Sequence, residues 1–157
     1  MTDDRSADVI RIVAGRDSRG GPVFEDVPAV ESDHGRYVLK GSPGLAHGAA
    51  AGDRVVLHAD GTFDVVERGG NLAVQSLAEL FDEGSLDELV AAVEELGGRL
   101  DGGHDRLRVF TVPVSAGFSP VEAVSDGYAR RHPGVEWYFA NVYDPRDGVT
   151  PLNWWSS

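Results

Sequence analysis

Apolar residues recur at Leu86, Leu89, Val90, Val93 and Leu96, with Asp87, Glu88, Glu94 and Glu95 on the other faces. Spacing of three and four predicts a helix with one apolar stripe. Ser85-Leu86-Asp87-Glu88 has the form of a capping box, in which serine accepts from the Glu88 amide and the glutamate reaches back. Gly97-Gly98 supplies the left-handed residue that ends the helix. A second stripe of Val121, Val124 and Tyr128 follows Ser119, Pro120 and Glu122. Here Ser119 is the expected cap and Pro120 the first helical residue. Arg130, Arg131 and His132 fall in the last turn, where positive charge suits the helix dipole. Pro133-Gly134 stops the chain there.

Around these helices the hydrophobic period drops to two. Residues 106–114 and 135–143 read as strands, with weaker ones over 71–77 and near Arg99-Leu100, and Gly102-Gly103 as the turn between the last of these and Arg106. In 135–143, Val135, Trp137, Phe139 and Tyr143 face one way, with Asn141 among them, and Glu136, Tyr138, Ala140 and Val142 the other. Both faces are largely apolar, so both need cover. Two helices cover one face. The N-terminal half, or a second subunit, is expected on the other. The order over 71–144 is βαββαβ, a ferredoxin-like layer.

Before it the chain alternates in short runs: 9–13, 23–30, 36–40, 54–59 and 63–67. Pro28 points to an edge or a bulge, Asp33-His34-Gly35 to a turn, and Asp60-Gly61 to a hairpin. Residues 41–51 form a loop of small side chains. Strands this short cannot build a large core alone. The expected fold class is therefore α+β: a β-rich N-terminal half-barrel (9–70) packed on a ferredoxin-like βαββαβ C-terminal half (71–144). Residues 1–8 are expected as a disordered tail, and 145–157 as a tail packing back on the core.

Charge narrows the partners. Lys+Arg number 14 and Asp+Glu 26, a net charge of −12. Such a surface repels phosphate backbones and anionic lipid, and suits a basic protein partner. No nucleic acid or membrane contact is expected: no apolar run approaches the roughly 20 residues of a span. There is no cysteine, hence no disulfide, thiol nucleophile or cysteine-bound metal. The N-terminus lacks a signal-peptide core, and a cytoplasmic location is the expectation.

Motifs of chemistry are sparse. No nucleophile elbow, P-loop or dinucleotide fingerprint is present, and the five histidines lack the spacing of a metal site. Asp101, His104 and Asp105 read as a surface turn. His58 reads as a core or edge histidine. No catalytic residue, metal ligand or cofactor is assigned. Candidate ligand-binding residues are His47, in a loop with Gly44, Gly48 and Gly52 that permits close approach, Asp53 beside it, and Trp137, Trp154 and Trp155. Tryptophan concentrates in cores and in binding hot spots. Trp154 and Trp155 are expected to be ordered, at least one of them packed.

Four segments carry a family likeness: Gly44-Leu45-Ala46-His47-Gly48 with Gly52-Asp53; 67–75, beginning Glu67-Arg68-Gly69-Gly70-Asn71; Glu95-Leu96-Gly97-Gly98; and Asn141-Val142-Tyr143-Asp144-Pro145 with Pro151-Leu152-Asn153-Trp154-Trp155. From about Val23 onward the chain resembles a bacterial family of small soluble proteins of the domain of unknown function 4265 type. That resemblance implies an α+β domain with a β-rich first half, and no assigned activity. The leading functional reading is a non-enzymatic accessory or protein-interaction module, immunity-like, that binds a basic partner. The alternatives are a small-molecule binder or enzyme with its site near the Gly44 to Asp53 loop, and a regulatory homodimer. Monomer and homodimer both stay open.

Overall fold

Short alternating runs with tight turns produce a meander of five antiparallel strands, each paired with the next. They are β1 (Val9–Arg16), β2 (Pro22–Asp33), β3 (Arg36–Leu39), β4 (Arg54–Leu57) and β5 (Phe63–Glu67). The structure, a computed structural model, describes residues 8–156. The expected disordered tail over 1–8 lies outside these, apart from Asp8, whose carbonyl accepts from the Ala29 amide at 3.0 Å. β2 is an internal strand. It pairs with β1 through Pro28 and with β3 from Ala29 onward, so the proline stands where one partner gives way to the next. Register shifts lie instead in β1, between Val13 and Gly15, and further along β2, between Glu31 and Asp33. The meander curls: the Val13 amide donates to the Gly61 carbonyl in the β4–β5 turn at 2.8 Å. Ile10, Ile12, Val27, Leu39 and Val55 pack inside, joined by Ala46 and Ala49 from the long loop after β3.

The second sheet holds β6 (Asn71–Leu77), β7 (Arg99–His104), β8 (Leu107–Pro113) and β9 (Glu136–Phe139), in the order β7-β8-β6-β9. Every neighbouring pair is antiparallel. α1 (Glu83–Glu95) connects β6 to β7, and α2 (Phe118–Arg131) connects β8 to β9. Leu72, Val74, Phe110 and Val112 face the helices and pack with Leu86, Leu89, Val93, Val121 and Tyr128. The alternate residues, Ala73, Gln75, Val109 and Thr111, are equally buried on the other face. The fold is thus α+β, with mostly antiparallel sheets and two helices. No described helix is long and apolar enough to cross a membrane.

Several boundaries differ from the sequence reading. α1 starts before Ser85: Asp82 is its cap, accepting from the Gly84 amide at 3.1 Å. The Ser85 hydroxyl donates to the Asp82 carbonyl and lies 3.1 Å from the Tyr128 hydroxyl, tying the helices together. Ser119 does not cap α2, which opens at Phe118 after Gly117 with no side-chain cap. Pro120 then falls within the first turn, where its missing N–H breaks no helical hydrogen bond. Gly102-Gly103 is not the turn. Both lie within β7, beside a register shift, and the chain reverses at Asp105-Arg106. Gly103 is required by close approach, because a Cβ there would meet the Leu107 carbonyl oxygen at 2.0 Å.

The far face of the second sheet is covered chiefly by the loop over 40–53. Ala50 packs against Ala73 and Ala140. Loop backbone taken out of water needs partners, and polar residues planted in both walls supply them. The Thr111 hydroxyl donates to Asp101, and Ser42 Oγ lies 2.6 Å from Thr111 Oγ1. The Ser42 amide also donates to Asp101, at 2.8 Å, and the Ala51 amide donates to Ser42 Oγ at 3.0 Å. Gln75 Nε2 donates to the carbonyls of Pro43 and Ala46, and Asn71 Nδ2 to that of Ala51. From the meander, the Glu25 carboxylate accepts from three successive amides, Gly44, Leu45 and Ala46. Asp101 is therefore a buried anchor on a strand, not a turn residue.

β9 is shorter than the sequence pattern because Asn141 replaces strand pairing with its side chain. Its Oδ1 accepts from the Ala73 amide at 2.9 Å and its Nδ2 donates to the Asn71 carbonyl at 2.8 Å. Val142 consequently packs on the helix side. The chain then turns at Asp144, Tyr143 pairs with Pro151, and the Trp154 indole donates to the Asn141 carbonyl at 2.8 Å. Trp155 lies edge-on to Phe118, 5.2 Å between centroids. This returning segment covers apolar surface worth about 2–3 kcal/mol. At about 2–4 °C per kcal/mol for a chain of this size, deleting 144–157 should lower the melting temperature on the order of 5–10 °C, measured by calorimetry.

Candidate functional site

A broad open cleft of about 960 Å³ runs between the meander and the returning tail. One wall is the end of β1 and the β4–β5 hairpin. The floor is the loop at His47-Gly48, with Pro145 and Leu152 opposite. Gly48 sits at φ +98 with its Cβ position 3.2 Å from Pro145 Cγ, so loop and tail meet where a side chain would part them.

His47 lines this cleft. Its ring is tilted against Tyr138, 5.2 Å between centroids, and the fully buried Gln75 amide lies beside it. Gln75 Nε2 is committed to the loop carbonyls, while its Oε1 has no hydrogen-bond partner among the described residues. Burial pushes the His47 pKa below its ordinary value. It outweighs the nearby Gln75 side chain and Glu25 carboxylate, which act the other way. The imidazole is therefore mainly neutral at pH 7.

Asp53 does not face the cleft. Its carboxylate is 1% exposed and accepts from the amides of Ala50 at 3.0 Å and Gly69 at 2.8 Å. Arg68 Nη1 approaches it at 3.4 Å. Burial raises the Asp53 pKa despite these donors, and burial also lowers that of Arg68. Both partners are pushed toward neutrality, so desolvation exceeds their mutual attraction. What the pair provides is position. The same Nη1 donates to the Gly48 carbonyl at 2.8 Å, and the guanidinium lies 5.6 Å from the Trp154 ring centroid. Gly69 must be glycine, since a Cβ there would come within 2.4 Å of the Gly52 backbone.

The structure thus gathers Asp53 and Trp154 around Arg68, with His47 on the same cleft, and Arg68 is a residue the sequence reading did not single out as a site. Its one signal was its place in Glu67-Arg68-Gly69-Gly70, a cation at the end of a strand before two glycines. Trp137 is elsewhere, on the helix side of the sheet, where Trp155 also packs, edge-on to Trp154 at 5.4 Å between centroids. The Trp137 indole donates to Asp126 at 2.8 Å and its ring stands edge-on to Phe139. Other charges on the cleft are already engaged: Arg146 with Asp144 at 2.9 Å, and Asp64 with His58 at 2.7 Å. His58 is a surface residue just past the end of β4 rather than a core histidine. His104 Nδ1 accepts from the Arg106 amide at 3.1 Å. Among the described residues no group of three or more His, Asp or Glu is placed to hold a metal ion.

Two outcomes follow from this geometry. Replacing Asp53→Ala strands Arg68 and two buried amides, and should cost about 3–5 kcal/mol in denaturant unfolding. The second concerns pH. His47 has a folded pKa below its unfolded value near 6.5. The unfolded state therefore binds more protons between the two, and stability rises with pH in that window. The His47 contribution is complete above about pH 6.5 and is lost as pH falls toward the folded pKa. His47→Gln should flatten the pH dependence of melting temperature across this range. The raised pKa of Asp53 acts with opposite sign, in a window that opens at its ordinary value of 3.8 and extends upward.

No curated protein matches the chain. The fold is shared with a solved hypothetical protein from Neisseria gonorrhoeae, with a TM-score of 0.67 at 17% identity, covering 89% of this chain and 96% of that one. At that identity the likeness shows the fold alone. Residues 25–133 match the family model described as Domain of unknown function (DUF4265). With more than half of the chain matched, including the cleft loop, the Arg68 turn and both helices, this protein belongs to the DUF4265 family.

Proposed function

We propose that this protein is a non-enzymatic accessory module, immunity-like in kind, that binds a basic protein partner in the cytoplasm through the outer face of α1. One observation carries the reading. Glu94 and Glu95 occupy the last turn of α1, which contains no basic residue, and both are exposed. Carboxylates at a helix C-terminus oppose the dipole, at a cost of about 0.3–1 kcal/mol each. α2 obeys the opposite rule, ending in Arg130 and Arg131. Asp82, Glu83, Asp87 and Glu88 extend the acidic face along α1, and of these Glu83 and Glu88 have cationic neighbours, Arg108 and Arg131. A locally unfavourable charge pattern retained on an exposed face is the kind of conflict that function explains. The overall charge of −12 supports the same choice of partner.

For the architecture, we read the β7-β8-β6-β9 order with both helices on one face as a ferredoxin-like layer, and the curled meander as a half-barrel. A homodimer would have to pair away from the far sheet face, which the 40–53 loop occupies. The small-molecule reading is favoured by a separate observation, the position of His47 and Arg68 on an open cleft.

The double substitution Glu94→Lys with Glu95→Lys tests the proposal. It should raise the melting temperature by a few degrees, at about 2–4 °C per kcal/mol. It should also abolish recovery of a stoichiometric basic partner that the native protein captures from lysate at low salt. A more stable variant that still captures the partner, or no stoichiometric basic partner for the native protein, would sink the idea.

A further inference from the structure

We infer that the cleft beside His47 binds a small organic carboxylate, received by the open edge of the Arg68 guanidinium, with its apolar body against Phe63, Pro145 and Leu152. This rests on the small-molecule reading of the cleft and names its ligand class.

The argument starts from how Arg68 is held. Its Nη1 is committed to the Gly48 carbonyl and leans on Asp53, and the plane of the group is backed by Trp154. Nη2 and Nε have no partner among the described residues, and the side chain, which lines the cleft, is 23% exposed. An arginine fixed on one edge and open on the other presents a planar fork whose geometry matches a carboxylate. Because the protein has already immobilised it, little rotamer entropy is lost on binding. Asp53 holds Arg68 from behind and is itself occupied by two amides, so it does not block that edge.

The surroundings select the ligand further. The two carboxylates on the cleft, Asp64 and Asp144, are engaged by His58 and Arg146. Arg146 is used up in the same contact, and Arg16, at the rim, donates to the Gly20 carbonyl. Arg16 also keeps Nη2 and Nε free among the described residues but is exposed at the rim, whereas Arg68 is held in place by Gly48, Asp53 and Trp154. His47 is mainly neutral and offers a hydrogen bond without adding charge. One immobilised guanidinium edge and one neutral imidazole suit a monoanion better than a phosphate dianion. Phe63, Pro145 and Leu152 give an apolar wall for the rest of the molecule.

Amide and indole NMR shifts test this, with benzoate, benzyl alcohol and inorganic phosphate as probes on the full chain. Benzoate should shift the Gly48 and Gly69 amides and the Trp154 indole N–H, saturating in the millimolar range. Arg68→Lys should weaken it at least tenfold, while Arg130→Gln, at the end of α2, leaves it unchanged. If Arg68→Lys fails to fold, Leu152→Glu places a like charge on the wall without touching the Asp53 pair, and should abolish benzoate binding. Benzoate shifts insensitive to both variants would overturn the inference. Equal binding of benzyl alcohol at the same residues, or preference for phosphate, would overturn the carboxylate assignment and leave the small-molecule reading standing. No binding of any probe would remove both.

Discussion

The fold depends on one constraint: a loop of small residues lies buried between two sheets, and its peptide groups must be hydrogen-bonded there. Backbone inside a protein without partners costs about as much per group as a lost hydrogen bond. The loop over 40–53 makes little regular structure, so side chains do the pairing. Ser42, Thr111 and Asp101 form one chain of donors, Gln75 and Asn71 reach up from β6, and Glu25 reaches across from β2. Small side chains are needed because bulk would hold the backbone away from these partners. Ala49, Ala50 and Ala51 are almost wholly buried for that reason.

The same constraint makes the candidate site. To satisfy Ala50 and Gly69, Asp53 is drawn inside, and a buried carboxylate draws Arg68 after it. Arg68 is then stiffened by Gly48 and by Trp154, which the tail delivers through the Asn141 carbonyl. Structural necessity thus leaves a cation with one free edge on an open cleft. The acidic face of α1 has a different origin. Its last turn, with Glu94 and Glu95, makes no ion pair among the described residues and runs against the helix dipole, so it stands apart from the device that organises the fold.

Much of the local structure was legible. Both helices, the hairpin at Asp60-Gly61 and the alternation of strands and helices over the second half follow from period, glycine and proline. Boundaries slipped where a competing partner won. Ser85 looked like a cap, but Asp82 took that role and Ser85 turned to Tyr128. Gly102-Gly103 looked like a turn, but glycine there answers close approach to Leu107. Asp101 looked like a surface residue because aspartate is common in turns, and nothing local announces Thr111 and Ser42, which are distant in the chain.

Of the candidate site, His47 and Trp154 were visible as residue types that are costly to waste, and Asp53 as a neighbour in the loop. Arg68 was not, because an arginine after a strand is ordinary until its partners are known. What the sequence determined alone was whatever depends on neighbours a few residues away: helix stripes, strand alternation, turns and the net charge of −12. Tertiary structure decided which face the loop fills, which carboxylates are buried, and which cation keeps an open edge. Those outcomes depend on desolvation and on contacts between residues distant in sequence, and neither is encoded in local spacing.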